Sequence, residues 1–439
     1  MMAIPVNNSL PEGRWLALWL AFFLSPFFWP YIHGTATAFS LLALATGLGA
    51  AAAMWQPMWK RCNGMVSFPL VWLVSLLLPG FLLLIMEQVR NPWGLWQQSL
   101  FMTAAWLVFA FSRSQACRLI SSHRWVLLLA VIGHVYAIYA VMQWFDIRPL
   151  HDVFAGRLFP FWSQAWQANN LAGPLAQQNL QGIFLCVVLV ALFSRVIDAT
   201  SNRWWLWWLG CLLPSMNLIG TGSRGSLLVF IIGISLVIIV SRHRKLAVMR
   251  IVPALFLGGV LYWVLYGFWA AELASIAGES GKTLVEAFQE RGIASRLMIW
   301  DLCLRLFMEH PWLGLGLGNL ASYSAEGQAL ALKAHPEWAE LGLYTQQAWA
   351  HNSILQLFVE AGLIGGAAIL VVYVAVSKKM VHLLQKRIQP TDGAFQGCLG
   401  CGLILLHGLV SVSMFNAFFM VLMALYAASA FSTTGPTDA

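Results

Sequence analysis

A chain of 439 residues, 60% hydrophobic and only 10% charged, with a mean hydropathy of +0.73, cannot coat a water-facing surface, because soluble domains carry roughly 25% charged residues. Disorder, which needs low hydrophobicity and high net charge, is excluded by the same figures, and a β-barrel by apolar runs that are continuous rather than alternating. The net charge of +8 reads as Lys and Arg gathered in the cytoplasmic loops of a polytopic membrane protein, not as a nucleic-acid footprint.

A spanning helix takes about 20 apolar residues. The apolar runs predict about twelve spans, at 15–33, 36–55, 66–86, 94–111, 125–144, 178–194, 204–221, 225–241, 250–270, 353–377, 394–412 and 415–432. The first run is too long for a signal peptide and lacks a small-residue cleavage site. With the N-terminus in the cytoplasm, 16 of the 25 Lys and Arg lie on the cytoplasmic side. Five of the other nine sit in one long loop, and long loops translocate largely regardless of charge. The expectation is therefore that both termini are cytoplasmic. No internal repeat is visible, and residues 1–439 read as one membrane domain.

Two outer stretches, 145–177 and 271–352, are too long to be mere connections, and such loops are usually functional. The second holds most of the acids and is expected to form short helices. Within it Gly292–His310 has a helical apolar period, stopped by Pro311, Gly314, Gly316 and Gly318. The chemistry is expected on this outer face. The aromatic run Trp204, Trp205, Trp207 and Trp208 is explained by an interfacial belt.

Several motifs carry little. Ala277–Thr283 (AGESGKT) imitates a phosphate-binding loop, but the required first glycine is Ile276 and no strand precedes it. The seven cysteines fall mostly in or beside apolar runs and form no disulfide framework; Cys398 and Cys401 lack a second pair. There is no H-E-x-x-H or D-x-D, and His33, His151, His310, His335 and His351 are scattered, so no metal and no cofactor is expected.

Four places carry more. Arg224, in TGSRGS between two spans, suits an anion clamp, since guanidinium contacts phosphate bidentately; the competing reading is a helix-end arginine reaching for the interface. Arg291 and Arg296 flank the start of a loop helix, with Glu290 and Asp301 as ordinary ion partners in the competing reading. Gln177, Gln178 and Asn179 offer amides at the mouth of a span, to a ligand or merely as caps. His351 and Asn352 open a span where the long loop meets the membrane, and histidine readily exchanges a proton near neutral pH. A structural histidine is the competing reading there. Glu360, nine residues on, is two and a half turns further, facing away from His351 and about 13 Å deeper.

These segments in combination resemble the Wzy-like superfamily of O-antigen ligases, O-antigen polymerases and bacterial O-oligosaccharyltransferases. The resembling blocks are HNSILQLFVEAGLIG from His351, TGSRGSLLVF from Thr221, and RLMIWDLCLRLFMEHPWLGLGLGNL from Arg296, over roughly residues 175–365. The string Gly173–Asn179 resembles a block of the pilin-type O-oligosaccharyltransferases. The resemblance implies a GT-C-like, all-α glycosyltransferase of the inner membrane with a periplasmic active site. It would move an oligosaccharide en bloc from undecaprenyl diphosphate to a Ser or Thr of a pilin or another periplasmic protein. It further implies His351 as base or acceptor orienter, Arg224 and Arg296 on the lipid diphosphate, and Gln177 and Asn179 at the donor or acceptor site. An O-antigen ligase acting on lipid A–core is the first alternative and a polymerase the next. A transporter or flippase, from another class, would show inverted repeats and more ionisable groups at mid-membrane than His134, Glu360 and His407.

Overall fold

The computed structural model describes residues 12–24, 45, 48–49, 67–113, 115–144, 173–175, 177–197, 204–276, 284–339, 349–386, 388–411 and 413–432. Among these residues the regular elements are helical and none is a strand. The chain runs through α1 (Glu12–Leu24), α2 (Ser67–Ile85), α3 (Pro92–Ser112), α4 (Ala116–Ser121), α5 (His123–Trp144), α6 (Gln178–Ile197) and α7 (Trp204–Gly220). It continues through α8 (Arg224–Val240), α9 (Arg244–Ile276), α10 (Leu284–Glu309), α11 (Leu320–Ala334), α12 (Ser353–Gln385), α13 (Gly393–Gly408) and α14 (Ala417–Ala430).

Against the twelve expected spans, four helices among the described residues are long and apolar enough to cross a membrane: α5, α6, the Arg244–Gly267 part of α9, and α12. Leu73–Ile85, α8, α13 and α14 are apolar but shorter. Most of the run at 36–55 and of the stretch at 145–177, and all of Ala277–Thr283, lie outside the described residues. The 271–352 stretch differs from expectation. α9 continues to Ile276, because neither Gly nor Pro follows Gly267 until Gly278. α10 is one 26-residue helix beginning eight residues before the expected start, not a short one. A glycine inside a helix costs only about 1 kcal/mol, which the packing of Ile299, Leu302, Cys303 and Leu306 offsets.

α6 is the axis of the bundle. It is apolar all round, as a helix buried on every side must be, and it packs against α5, α7, α8 and α13. α9 is the opposite case: Phe256, Trp263 and Val264 are exposed, a face suited to lipid. At one end of the bundle an aromatic cluster ties the first helix to the last. Phe22 stacks on Phe418 at 4.7 Å between centroids, and Phe23 and Trp19 pack on Trp125. The Tyr136 hydroxyl donates to the Phe23 carbonyl at 2.6 Å. Elsewhere, Arg195 donates to the Ser121 carbonyl, and Arg250 donates to the Val196 carbonyl at 2.7 Å while lying over Trp204.

α12 is kinked. Gly362 has φ 63°, ψ −164°, so the helical ladder is interrupted. The tail after α10 fills the gap: Leu363 N–H donates to the Pro311 carbonyl at 2.8 Å and Leu315 N–H to the Val359 carbonyl at 2.9 Å. Backbone meets backbone so closely here that a Cβ on Gly314 would sit 2.6 Å from the Val359 carbonyl. The glycines expected to stop α10 therefore also let its tail lie against α12. The same tail reaches α3, where Asn91 N–H donates to Asn319 Oδ1 at 2.6 Å. A satellite core of α10, α11, Ala350 and Val359 completes this layer.

A candidate active site at one end of the bundle

The start of α6, the turn between α7 and α8, the start of α12 and the end of α13 converge. The turn forms because Thr221 hydroxyl donates back to the Leu218 carbonyl at 2.7 Å, Gly222 takes φ 62°, and Ser223 caps α8 by accepting Ser226 N–H. A serine in this role is favoured because its oxygen satisfies an amide that the helix leaves free. Arg224 is the first residue of α8 and is exposed. Among the described residues no acid or acceptor pairs with it.

Beneath Arg224 runs a buried polar chain. Ser223 hydroxyl donates to Asn179 Oδ1 at 2.7 Å; Ser226 Oγ lies 2.8 Å from Ser223 Oγ and donates to the Asn179 carbonyl at 3.3 Å. His407 Nε2 lies 3.1 Å from Ser226 Oγ, and its Nδ1 lies 3.2 Å from Ser413 Oγ. Gly182 makes this possible: a Cβ there would collide with Ser226 Oγ. Gln181 Nε2 donates to Asn217 Oδ1 at 3.2 Å one turn along.

His351 sits at the rim with φ 51°, a left-handed conformation uncommon outside glycine. Its ring is half-buried, and Nδ1 is buried without a hydrogen-bond partner among the described residues. Burial first, and the charge of Arg296 second, push the imidazole below its ordinary range, so it is neutral at pH 7. Arg296 on α10 has no hydrogen bond or ion pair among the described residues. Asp301, the acid that the sequence offers it, pairs instead with Arg305 at 2.6 Å, one turn further along.

The remaining sequence candidates divide. Asn352 Oδ1 caps α12, accepting Ile354 and Leu355 N–H at 3.0 Å each, which leaves its NH₂ for a ligand. Asn179 is committed to Ser223, whereas the half-buried Gln177 side chain has no hydrogen bond among the described residues. Arg291 lies on α10, its side chain outside the described residues. The Glu360 carboxylate accepts Gly318 N–H at 2.9 Å and Leu320 N–H at 3.2 Å, at the start of α11. Ser223, Ser226, Gln356 and His407 were not singled out for the site in the sequence. His407 is 181 residues from its Ser226 partner, and no local pattern signals that pairing.

Residues 209–370 match the family model described as O-antigen ligase, Wzy_C. That segment is similar to the O-antigen ligases of the Wzy-like superfamily. No curated protein matches the chain significantly. The Wzy-like segment contains Arg224, Arg291, Arg296, His351 and Asn352, while Gln177, Asn179 and His407 lie outside it. The pilin-type string Gly173–Asn179 is also outside, so the match supports the superfamily and a membrane ligase acting in glycan transfer, not a particular acceptor. Among the described residues no group of three His, Cys, Asp or Glu is placed to hold a metal ion.

Proposed function

We propose that this protein is an inner-membrane glycosyltransferase working on the periplasmic face. It moves a preassembled oligosaccharide from undecaprenyl diphosphate to a hydroxyl acceptor. The observation that carries the reading is a buried His351 nitrogen with no hydrogen-bond partner among the described residues, within electrostatic reach of Arg296, which also has no hydrogen bond or ion pair among them. A buried polar atom left unpaired calls for an explanation, and a ligand supplies one.

In the reaction the acceptor oxygen bonds to the anomeric carbon as the bond from that carbon to the diphosphate oxygen breaks. His351 takes the hydroxyl proton and later returns it to solvent. The electron pair leaves on undecaprenyl diphosphate, where Arg224 and Arg296 stabilise the developing charge without help from a metal. Arg224, exposed at the N-terminus of α8, also has the positive end of the helix dipole behind it. Gln177, Arg291 and Asn352 are assigned to binding the donor or acceptor.

A pilin Ser or Thr is the acceptor that the Gly173–Asn179 string favours, because Asn179 of that string is bonded to the Arg224 turn. Lipid A–core is the second reading, favoured by the description of the matched family. Purified protein in proteoliposomes, given a lipid-linked oligosaccharide and either acceptor, separates the two. His351→Ala is expected to lower transfer roughly 10²–10⁴-fold, and Arg224→Lys to lower use of the donor, since an ammonium cannot contact phosphate bidentately. Transfer is expected to survive EDTA. Wild-type transfer by His351→Ala at normal expression would remove the base from the mechanism.

A further inference from the structure

His351 holds an uncommon backbone conformation, φ 51°, which persists only where the surroundings over-determine it. The restraint on its C-terminal side is Asn352, fixed as the cap of α12. The restraint on its N-terminal side is Ala350, which is fully buried and part of the satellite core. Both polar groups of Ala350 are taken by side chains. Its carbonyl accepts from the indole Nε1–H of Trp300, on α10, at 3.0 Å. Its N–H donates to Oε1 of Gln356, on α12, at 2.8 Å.

Neither side chain is free to wander. Gln356 is fully buried, and its own NH₂ donates to Glu360 Oε1 at 3.0 Å, so its amide orientation follows from its carboxylate neighbour. Glu360 is in turn locked to the backbone of Gly318 and Leu320. Trp300 stands one helical turn beyond Arg296 on α10, so the helix that carries the arginine also grips the residue before the histidine.

We propose that Trp300 and Gln356 are positioning residues for His351, clamping Ala350 from two helices so that the imidazole is presented in one fixed place relative to Arg296. Neither acts on substrate. Their role rests on the reading of His351 as the base.

The test uses the full-length enzyme in proteoliposomes with the lipid-linked donor and whichever acceptor supports transfer. Trp300→Phe keeps an aromatic ring while removing the indole N–H and part of the ring's volume; Gln356→Met keeps the length and removes both amide hydrogen bonds. Each is expected to lower kcat about tenfold, since displacing a reacting group by about 1 Å can cost far more than that. KM for the donor is expected to stay within about twofold, the signature of lost transition-state geometry rather than lost binding. In a His351→Ala background Trp300→Phe is expected to change the residual rate by less than about twofold, because the two act as one unit. Wild-type kcat in Trp300→Phe, or a defect that adds fully to that of His351→Ala, overturns the proposal, whether or not Gln356→Met inserts. If His351→Ala alone transfers at the wild-type rate, the base reading fails first and takes this one with it; the single His351 variant therefore distinguishes the two failures.

Discussion

At the scale of the residue, the neutrality of His351 governs how transfer responds to pH. A free imidazole titrates near 6.5. Burial and the Arg296 charge both disfavour its protonated form, so the folded ring keeps its basic nitrogen to a lower pH than that. The rising limb of the kcat profile is therefore expected below pH 6.5, with transfer lost only under more acid conditions. In Arg296→Gln the smaller cause is removed and the larger remains, so the limb moves upward but not fully to the free value. A midpoint above 6.5 in the wild type would contradict the placement of the ring. Of these features the sequence shows the histidine and both arginines, since each stands in a compact motif, His351 and Arg224 beside a span boundary and Arg296 at the start of a loop helix. It does not show that Asp301 prefers Arg305, because both partners sit within reach on the same helix.

At the scale of the element, the tail after α10 behaves as part of α12. A kinked helix leaves amides and carbonyls without intrahelical partners, and here Pro311 and Leu315 satisfy them. Glu360 completes the junction from the kinked helix itself, capping the start of α11. Gly362→Ala would press a Cβ into the Trp312 carbonyl while forcing alanine to a positive φ. A loss of about 2–4 kcal/mol is expected from the strain and the displaced backbone together, read as a lower thermal unfolding midpoint in detergent. Gly267→Ala, where a Cβ meets nothing within 4 Å, is the control and is expected to leave the midpoint unchanged or slightly raised. An unchanged midpoint in Gly362→Ala would mean that the tail does not need this approach. The glycines of the tail are readable in the sequence as helix stops. Their second use depends on a helix some 45 residues later, which no local period reports.

At the scale of the whole molecule, the proposed chemistry needs the orientation that the charge asymmetry predicts. A phosphatase fused after Lys245 is expected to be inactive and one after Lys333 active, which would place α11 and the His351 rim on the periplasmic side. The reverse pattern would put the site where no periplasmic acceptor reaches it. The class of the molecule is legible in its composition, and three expected spans are found as helices, α5, α6 and α12, that begin within two residues of the expected position, though α12 runs on to Gln385. The internal polar chain is less so, because Ser223 and Ser226 at the start of α8 are far in sequence from His407 on α13, and none shows a periodicity that sets it off from ordinary capping and core residues. That chain has a consequence for biosynthesis. Helices enter a membrane in order, and until α13 arrives Ser226 lacks the imidazole that it meets in the finished bundle. The hydroxyls beneath Arg224 must meanwhile share one another's lone pairs or hold water. The mouth of the site is thus completed by a segment made long after the arginine turn, and a nascent chain that stalls before α13 carries that turn without the packing that His407 supplies.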